Sequence, residues 1–363
     1  MHSDKSETEP RSPNRVLIAS IALLVIALGL AVFFIVQPRA AALQKQNGFV
    51  LLEGENAYFA SAGNGLAAVT SSGAQLFSSA GKCVAELDGE YTSPRCAASS
   101  RSAVFYEPGE AAFSVLYPDG SSCDSAAEGG ILAADVNDSG LLTVITVREG
   151  MLGCVMVYDT DLTALFRLTL SSMTPSAART SADGVLCVCG TTDTGSALRF
   201  YRIDSEEQTA EFTAEGETFL DFGFLSDGTV AAVTDRALCF IGADGTLTAS
   251  HRFDGAEVSA YSFGSDRAAI AVKGDEKTEI GMFSAAGETL GRSASERDVL
   301  AMSVYGEQVL VLFSGSESAL YTSELEELIC CQPREDVHQV FLCAESRALY
   351  AGASGIMQID FGQ

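Results

Sequence analysis

The amino-acid sequence predicts an all-β fold, an eight-bladed β-propeller that follows one N-terminal transmembrane helix, and three observations predict it. A charge-free apolar run occupies residues 16–36. Beyond it come short β-branched and aromatic runs separated by Gly, Asp and Ser clusters, the pattern of strands joined by tight turns. Those runs recur as one unit, eight times, at the size of a propeller blade. A seven-bladed ring is the alternative count.

The apolar run reads VLIASIALLVIALGLAVFFIV, and as a helix it spans roughly 31 Å, the thickness of a bilayer core. Arg11 and Arg15 precede it, and Pro38 and Arg39 end it. The long domain behind it would translocate largely regardless of its own charge, so the N-terminus is expected in the cytoplasm and the body outside the cell membrane. Two readings compete. Ala40, Ala41 and Ala42 offer a signal-peptidase pattern, although the run is longer than a signal peptide's apolar region. The charge difference across the span is small and the chain holds ten cysteines, which favours the reverse orientation. The expected organisation is a polar tail over 1–15, the helix over 16–36, a linker over 37–47 and the propeller over 48–363.

The repeated unit is an apolar strand, a small-residue turn, a second strand rich in Ala, Val and Leu, then two more strands. Its clearest copies are ADVNDSGLLTV (134–144), RTSADGVLCV (179–188) and GFLSDGTVAAV (223–233). Weaker copies end at Val69, Phe105, Val272, Leu312 and Ala351. The turn residues Gly65, Ser102, Gly140, Gly184, Gly228, Arg267, Gln308 and Arg347 are spaced by about 37 to 44 residues, room for four antiparallel strands each. In the third unit these are expected at 131–136, 141–147, 153–159 and 164–170. The last unit supplies only three strands, at 337–342, 348–352 and 356–361. GFVLLEG at 48–54 has no other blade to join, so it is expected to complete the last one and remove a free sheet edge.

Composition agrees with this fold. Thirty-four Gly against 8 Pro suit many tight turns. The formal charge of −26 belongs to the body, because Asp4, Glu7 and Glu9 cancel Lys5, Arg11 and Arg15 in the tail. A surface that negative repels nucleic acid, so no nucleic-acid partner is expected. The ten cysteines lack metal spacing. Cys83, Cys187, Cys189, Cys239 and Cys343 sit in apolar runs and read as buried thiols. Cys96, Cys123, Cys154, Cys330 and Cys331 are the ones that could pair in an oxidising compartment.

Units such as Asp227-Gly228-Thr229-Val230-Ala231-Ala232-Val233, followed by Leu238 and then Gly245-Thr246-Leu247, resemble the blades of the quinoprotein-like and WD40-like propeller superfamilies. With its tail and single span, the chain resembles an uncharacterised domain-of-unknown-function family of membrane-anchored propellers of Gram-positive bacteria. Two departures matter. There is no Trp, so ring packing must use Phe, Tyr and Leu. Adjacent Cys330 and Cys331 resemble the vicinal cysteines of quinoprotein alcohol dehydrogenases, but those enzymes stack their cofactor on a Trp that this chain lacks. No cofactor is expected.

Sequence chemistry points away from catalysis. The three His residues, His2, His251 and His338, are scattered, and no zinc-protease, nucleophile-elbow, P-loop or dinucleotide motif is present. The stretch from Asp135 to Gly140 spaces oxygen side chains as a calcium loop does, but Thr146 stands where the bidentate Glu belongs; an Asx turn is expected instead. Polar residues on the channel-lining first strands are the candidate ligand contacts: Asp135, Arg179, Asp221, Tyr261, His338 and Gln339. The expected function is a noncatalytic binding or scaffolding platform of the cell envelope with a protein or cell-wall partner. A ligand-sensing propeller working with a partner protein is the alternative, followed by an enzyme with an unrecognised site.

Overall fold

The computed structural model describes the backbone of residues 45–51 and all of residues 57–362 except 206 and 254. No helix among the described residues is long and apolar enough to cross a membrane. The expected tail and span, and the linker up to residue 44, lie outside the described residues.

Eight four-stranded antiparallel sheets form the domain. Their first strands are Tyr58–Ala62, Arg95–Ala98, Gly130–Val136, Thr174–Thr180, Phe219–Phe224, Glu257–Phe263, Val299–Tyr305 and Val337–Ala344. These strands open blades 1 to 8 and pack against one another around the centre. The third blade continues with Leu142–Val147, Gly153–Tyr158 and Ala164–Leu170, within a residue of the expected bounds. The turn glycines Gly140, Gly184, Gly228 and Gly245 all have φ between 75° and 87°, a backbone state that glycine adopts without penalty.

The last blade is ordered Lys45–Leu51, Gly355–Asp360, Arg347–Gly352, Val337–Ala344. An N-terminal strand therefore closes the ring on the C-terminal sheet, antiparallel to Gly355–Asp360. It begins three residues earlier than the expected GFVLLEG, because the ladder starts at the Lys45–Asp360 pair and runs through polar Gln46 and Asn47.

Eight apolar clusters hold the ring, one between each pair of neighbouring blades. Between blades 8 and 1 the cluster joins Leu349, Ala351 and Ile356 to Phe59, Leu66 and Phe77. Without Trp, the largest buried side chains are Tyr350, Phe105, Phe200, Phe222, Phe240 and Phe313. Tyr350 buries its hydroxyl beside Ser318 Oγ at 2.9 Å and Cys331 Sγ at 3.2 Å, which avoids the cost of an unpaired buried polar group. Cys96, Cys123, Cys154 and Cys331, four of those that could pair in an oxidising compartment, are free thiols. Cys187, Cys189, Cys239 and Cys343 are buried, whereas Cys83 is half-buried at the start of an outer strand.

The linkers that lead into the first strands share a face with the turns between second and third strands. Tyr91 N donates to Ser71 O at 3.0 Å, Ile131 N to Glu110 O at 2.8 Å and Ser314 N to Asp298 O at 2.8 Å. This linker face is one mouth of the central channel.

A charged cluster and an apolar rim in the channel

In blades 3 to 8 the first strand carries a bulge near its start, after Ile131, Pro175, Phe219, Val258, Val299 and Val337. The bulge gives a common register. The first paired residue after it is Ala133, Ala177, Asp221, Ala260, Ala301 and Gln339 in turn. Alanine is thus the rule, and Asp221 and Gln339 depart from it. Two residues further on stand Asp135, Arg179, Gly223, Ser262, Ser303 and Phe341. In blades 6 and 7 the serines seal the ring, with Ser262 Oγ accepting from Val304 N at 3.0 Å and Ser303 Oγ from Leu342 N at 2.8 Å. In blade 5 a Cβ on Gly223 would lie 2.9 Å from the Phe263 ring, so only glycine fits there. In blades 3 and 4 the position carries opposite charges.

These departures meet. Arg179 NH1 donates to Asp221 Oδ1 at 2.7 Å, and Arg179 Nε to Asp135 Oδ1 at 3.4 Å. The guanidinium also lies 5.1 Å from the centre of the Phe222 ring, within cation–π range. One cation on blade 4 therefore joins carboxylates from blades 3 and 5. Each side chain remains 24–29% exposed, so channel water reaches the cluster. Enclosure raises the Asp135 carboxyl above its ordinary value, with Arg179 pulling it down. Enclosure opposes the Arg179 charge, but Asp221 and Asp135 outweigh it and hold the guanidinium above its ordinary value. Tyr261 is pushed up to about 12 by burial and then by Asp221, so its protonated hydroxyl can donate to that carboxylate.

The structure thus brings Asp135, Arg179, Asp221 and Tyr261 together from four successive blades. It does not bring in His338, whose Nδ1 lies 3.4 Å from Asp336 O and whose ring packs at 6.1 Å from Phe59. Gln339 occupies the register of Asp221 on blade 8. Two residues not anticipated complete the wall. Arg95 stacks 5.0 Å from the Tyr58 ring centre, and Tyr58, whose hydroxyl is raised by burial and then by Cys96, also feels Asp221 and Arg179.

The bulged residues themselves form a rim. They are Leu132, Ser176, Leu220, Ser259, Leu300 and His338, and the three leucines, on alternate blades, are 41–49% exposed. A bulge turns one side chain out of the ladder's alternation, here on the linker-face side of the charged cluster. In the stretch resembling a calcium loop the oxygens are committed elsewhere. Asn137 Oδ1 accepts from Ser139 N and Leu141 N, Asp138 binds Ser100, and Asp135 binds Arg179.

Residues 45–360 match the family of unknown function DUF5711, and the chain belongs to that family. A sequence comparison with curated proteins gave no match. Among solved structures, the C-terminal WD40 domain of Sif2 is similar with a TM-score of 0.67 and 13% identity, covering 89% of this chain and 99% of that one. Sqt1 of Saccharomyces cerevisiae is similar at 0.65 and 13%, covering 88% and 100%. BamB from Moraxella catarrhalis follows at 0.59 and 12%, covering 87% and 99%. Such identities establish a shared propeller fold.

Proposed function

We propose that this member of the DUF5711 family is a noncatalytic binding platform of the cell envelope, anchored by a helix over residues 16–36, with the propeller outside the membrane. Its linker-face channel mouth engages a protein or cell-wall partner. The observation that supports this is the departure from the blade rule on blades 3 to 5, where charges replace Ala and Ser beneath a rim of exposed leucines. Exposed leucines around a polar pit suit a partner that buries apolar side chains and pairs with the fixed charges. The water-accessible Asp135–Arg179–Asp221 cluster also supports the second reading, a small polar ligand held in the channel.

A photo-crosslinking residue at Leu220 or Leu300 should capture a discrete partner in intact cells, and the same residue at Leu165 or Leu247 on outer strands should not. Equal capture from both sets, or none from the rim, would remove the platform reading. Orientation is testable at Cys123, the one exposed cysteine. A membrane-impermeant maleimide should label it in intact cells and leave Cys123→Ser unlabelled at that site. Labelling only after lysis would place the propeller inside.

A further inference from the structure

Away from the channel, a cleft of about 230 Å³ opens between blades 5 and 6, with Phe253, Ile270 and Phe283 on its floor. Its rim gathers His251, Arg252, Lys277 and Arg292 against a single carboxylate among the described lining residues, Glu279. In a chain with 22 Lys and Arg against 48 Asp and Glu, this is a local inversion of sign.

Two of the four are already engaged. Arg252 NH1 pairs with Glu217 at 3.0 Å, and His251 Nε2 lies 2.7 Å from Gly287 O with its ring 4.3 Å from that of Phe283. The Lys277 and Arg292 side chains have no ion-pair partner among the described residues. The blade register shows how the cleft arises. At the third-strand position of Gly281, blades 3, 4, 5, 7 and 8 carry Met156, Arg199, Cys239, Ala319 and Met357. A Cβ at Gly281 would come within 2.8 Å of the Phe283 ring, so glycine lets that ring lie across the strand as an apolar floor. Arg292 stands opposite Gly281. Its counterpart in blade 3, Arg167, stands opposite Met156 and is held by Glu128 at 3.0 Å. Blade 6 thus has the cation with no ion pair to the one lining carboxylate, Glu279, and the floor without the covering side chain.

We propose that this cleft binds a small anion with an apolar body, a carboxylate or phosphate monoester bearing an aromatic or branched aliphatic group. Arg292 and Lys277 hold the charged end, and Phe283 and Ile270 hold the apolar one. The volume suits a compact ligand rather than a cofactor. This site is independent of the channel.

Fluorine NMR of 4-fluorobenzoate with the full chain in detergent tests the proposal. Saturable binding is expected, with 4-fluorobenzamide at least about tenfold weaker, because only the anion gains charge-assisted hydrogen bonds. Phenyl phosphate should displace the probe, and phenol should not. Arg292→Gln and Lys277→Gln alter exposed side chains, so they should leave the melting temperature unchanged while each weakening the probe by about tenfold. Gly281→Met, which installs the blade 3 and blade 8 residue, should abolish binding by covering the floor. Equal binding of acid and amide, displacement by phenol, or full affinity in Arg292→Gln would overturn the assignment.

Discussion

Blades 3 to 5 and blades 6 to 8 share one register but use it differently. At the second position past the bulge alignment point, Ser262 and Ser303 accept a backbone N–H from the next blade, so that half of the ring is sealed through its inner strands. Asp135 and Arg179 occupy the same position in blades 3 and 4 and turn to each other and to Asp221 instead. The fold can be built with Ser and Ala at these positions. Asp135, Arg179 and Asp221 depart from the repeat's own rule and remain exposed to channel water, which is why we propose them for binding.

The change with the largest expected effect removes what both halves depend on. Deleting Lys45–Leu51 strips the last blade of its outer strand and exposes the edge of Gly355–Asp360. Loss of the cooperative unfolding transition, measured by circular dichroism, is the expected result. Next is Arg179→Gln. It leaves two neighbouring carboxylates without their cation, and because the cluster is partly wet the cost should be about 2–3 kcal/mol, below that of a fully buried broken pair. Denaturant titration would read it. In the sealed half, Ser303→Ala orphans the Leu342 N–H and should cost about 1–2 kcal/mol by the same method. The smallest effect concerns pH. A raised folded-state pKa at Asp135 means that the folded protein binds the extra proton, so its contribution is full below the ordinary carboxylate range and is lost as pH rises through the raised value. The stability difference between wild type and Asp135→Asn should therefore favour wild type more at about pH 4 than at about pH 7; a difference that grows with pH would show that Arg179 dominates the site.

Much of this architecture is written in local signals. Asp-Gly turns such as Asp227-Gly228 mark the blades because their positive-φ glycines have few substitutes, and the three-strand ending called for a closing strand. That strand starts before the apolar centre of the run because pairing follows the backbone ladder, which extends through Gln46 and Asn47. Asp135, Arg179, Asp221 and Tyr261 could be anticipated as polar residues on apolar strands. Tyr58 and Arg95 could not, since they open short first strands in the two least regular blades. Nor could the leucine rim, because period-two alternation places Leu132, Leu220 and Leu300 by parity and a bulge reverses parity for one residue.

The channel charges are additions to the fold rather than parts of it. Giving blades 3 to 5 the residues their neighbours use, as Asp135→Ser, Arg179→Ser and Asp221→Ala together, and measuring thermal unfolding separates the two cases. Because removing all members of an ion cluster leaves no orphaned charge, the melting temperature should equal or exceed that of wild type. A large fall, on the scale of the Arg179→Gln variant or beyond, would make the cluster a structural lock of the ring.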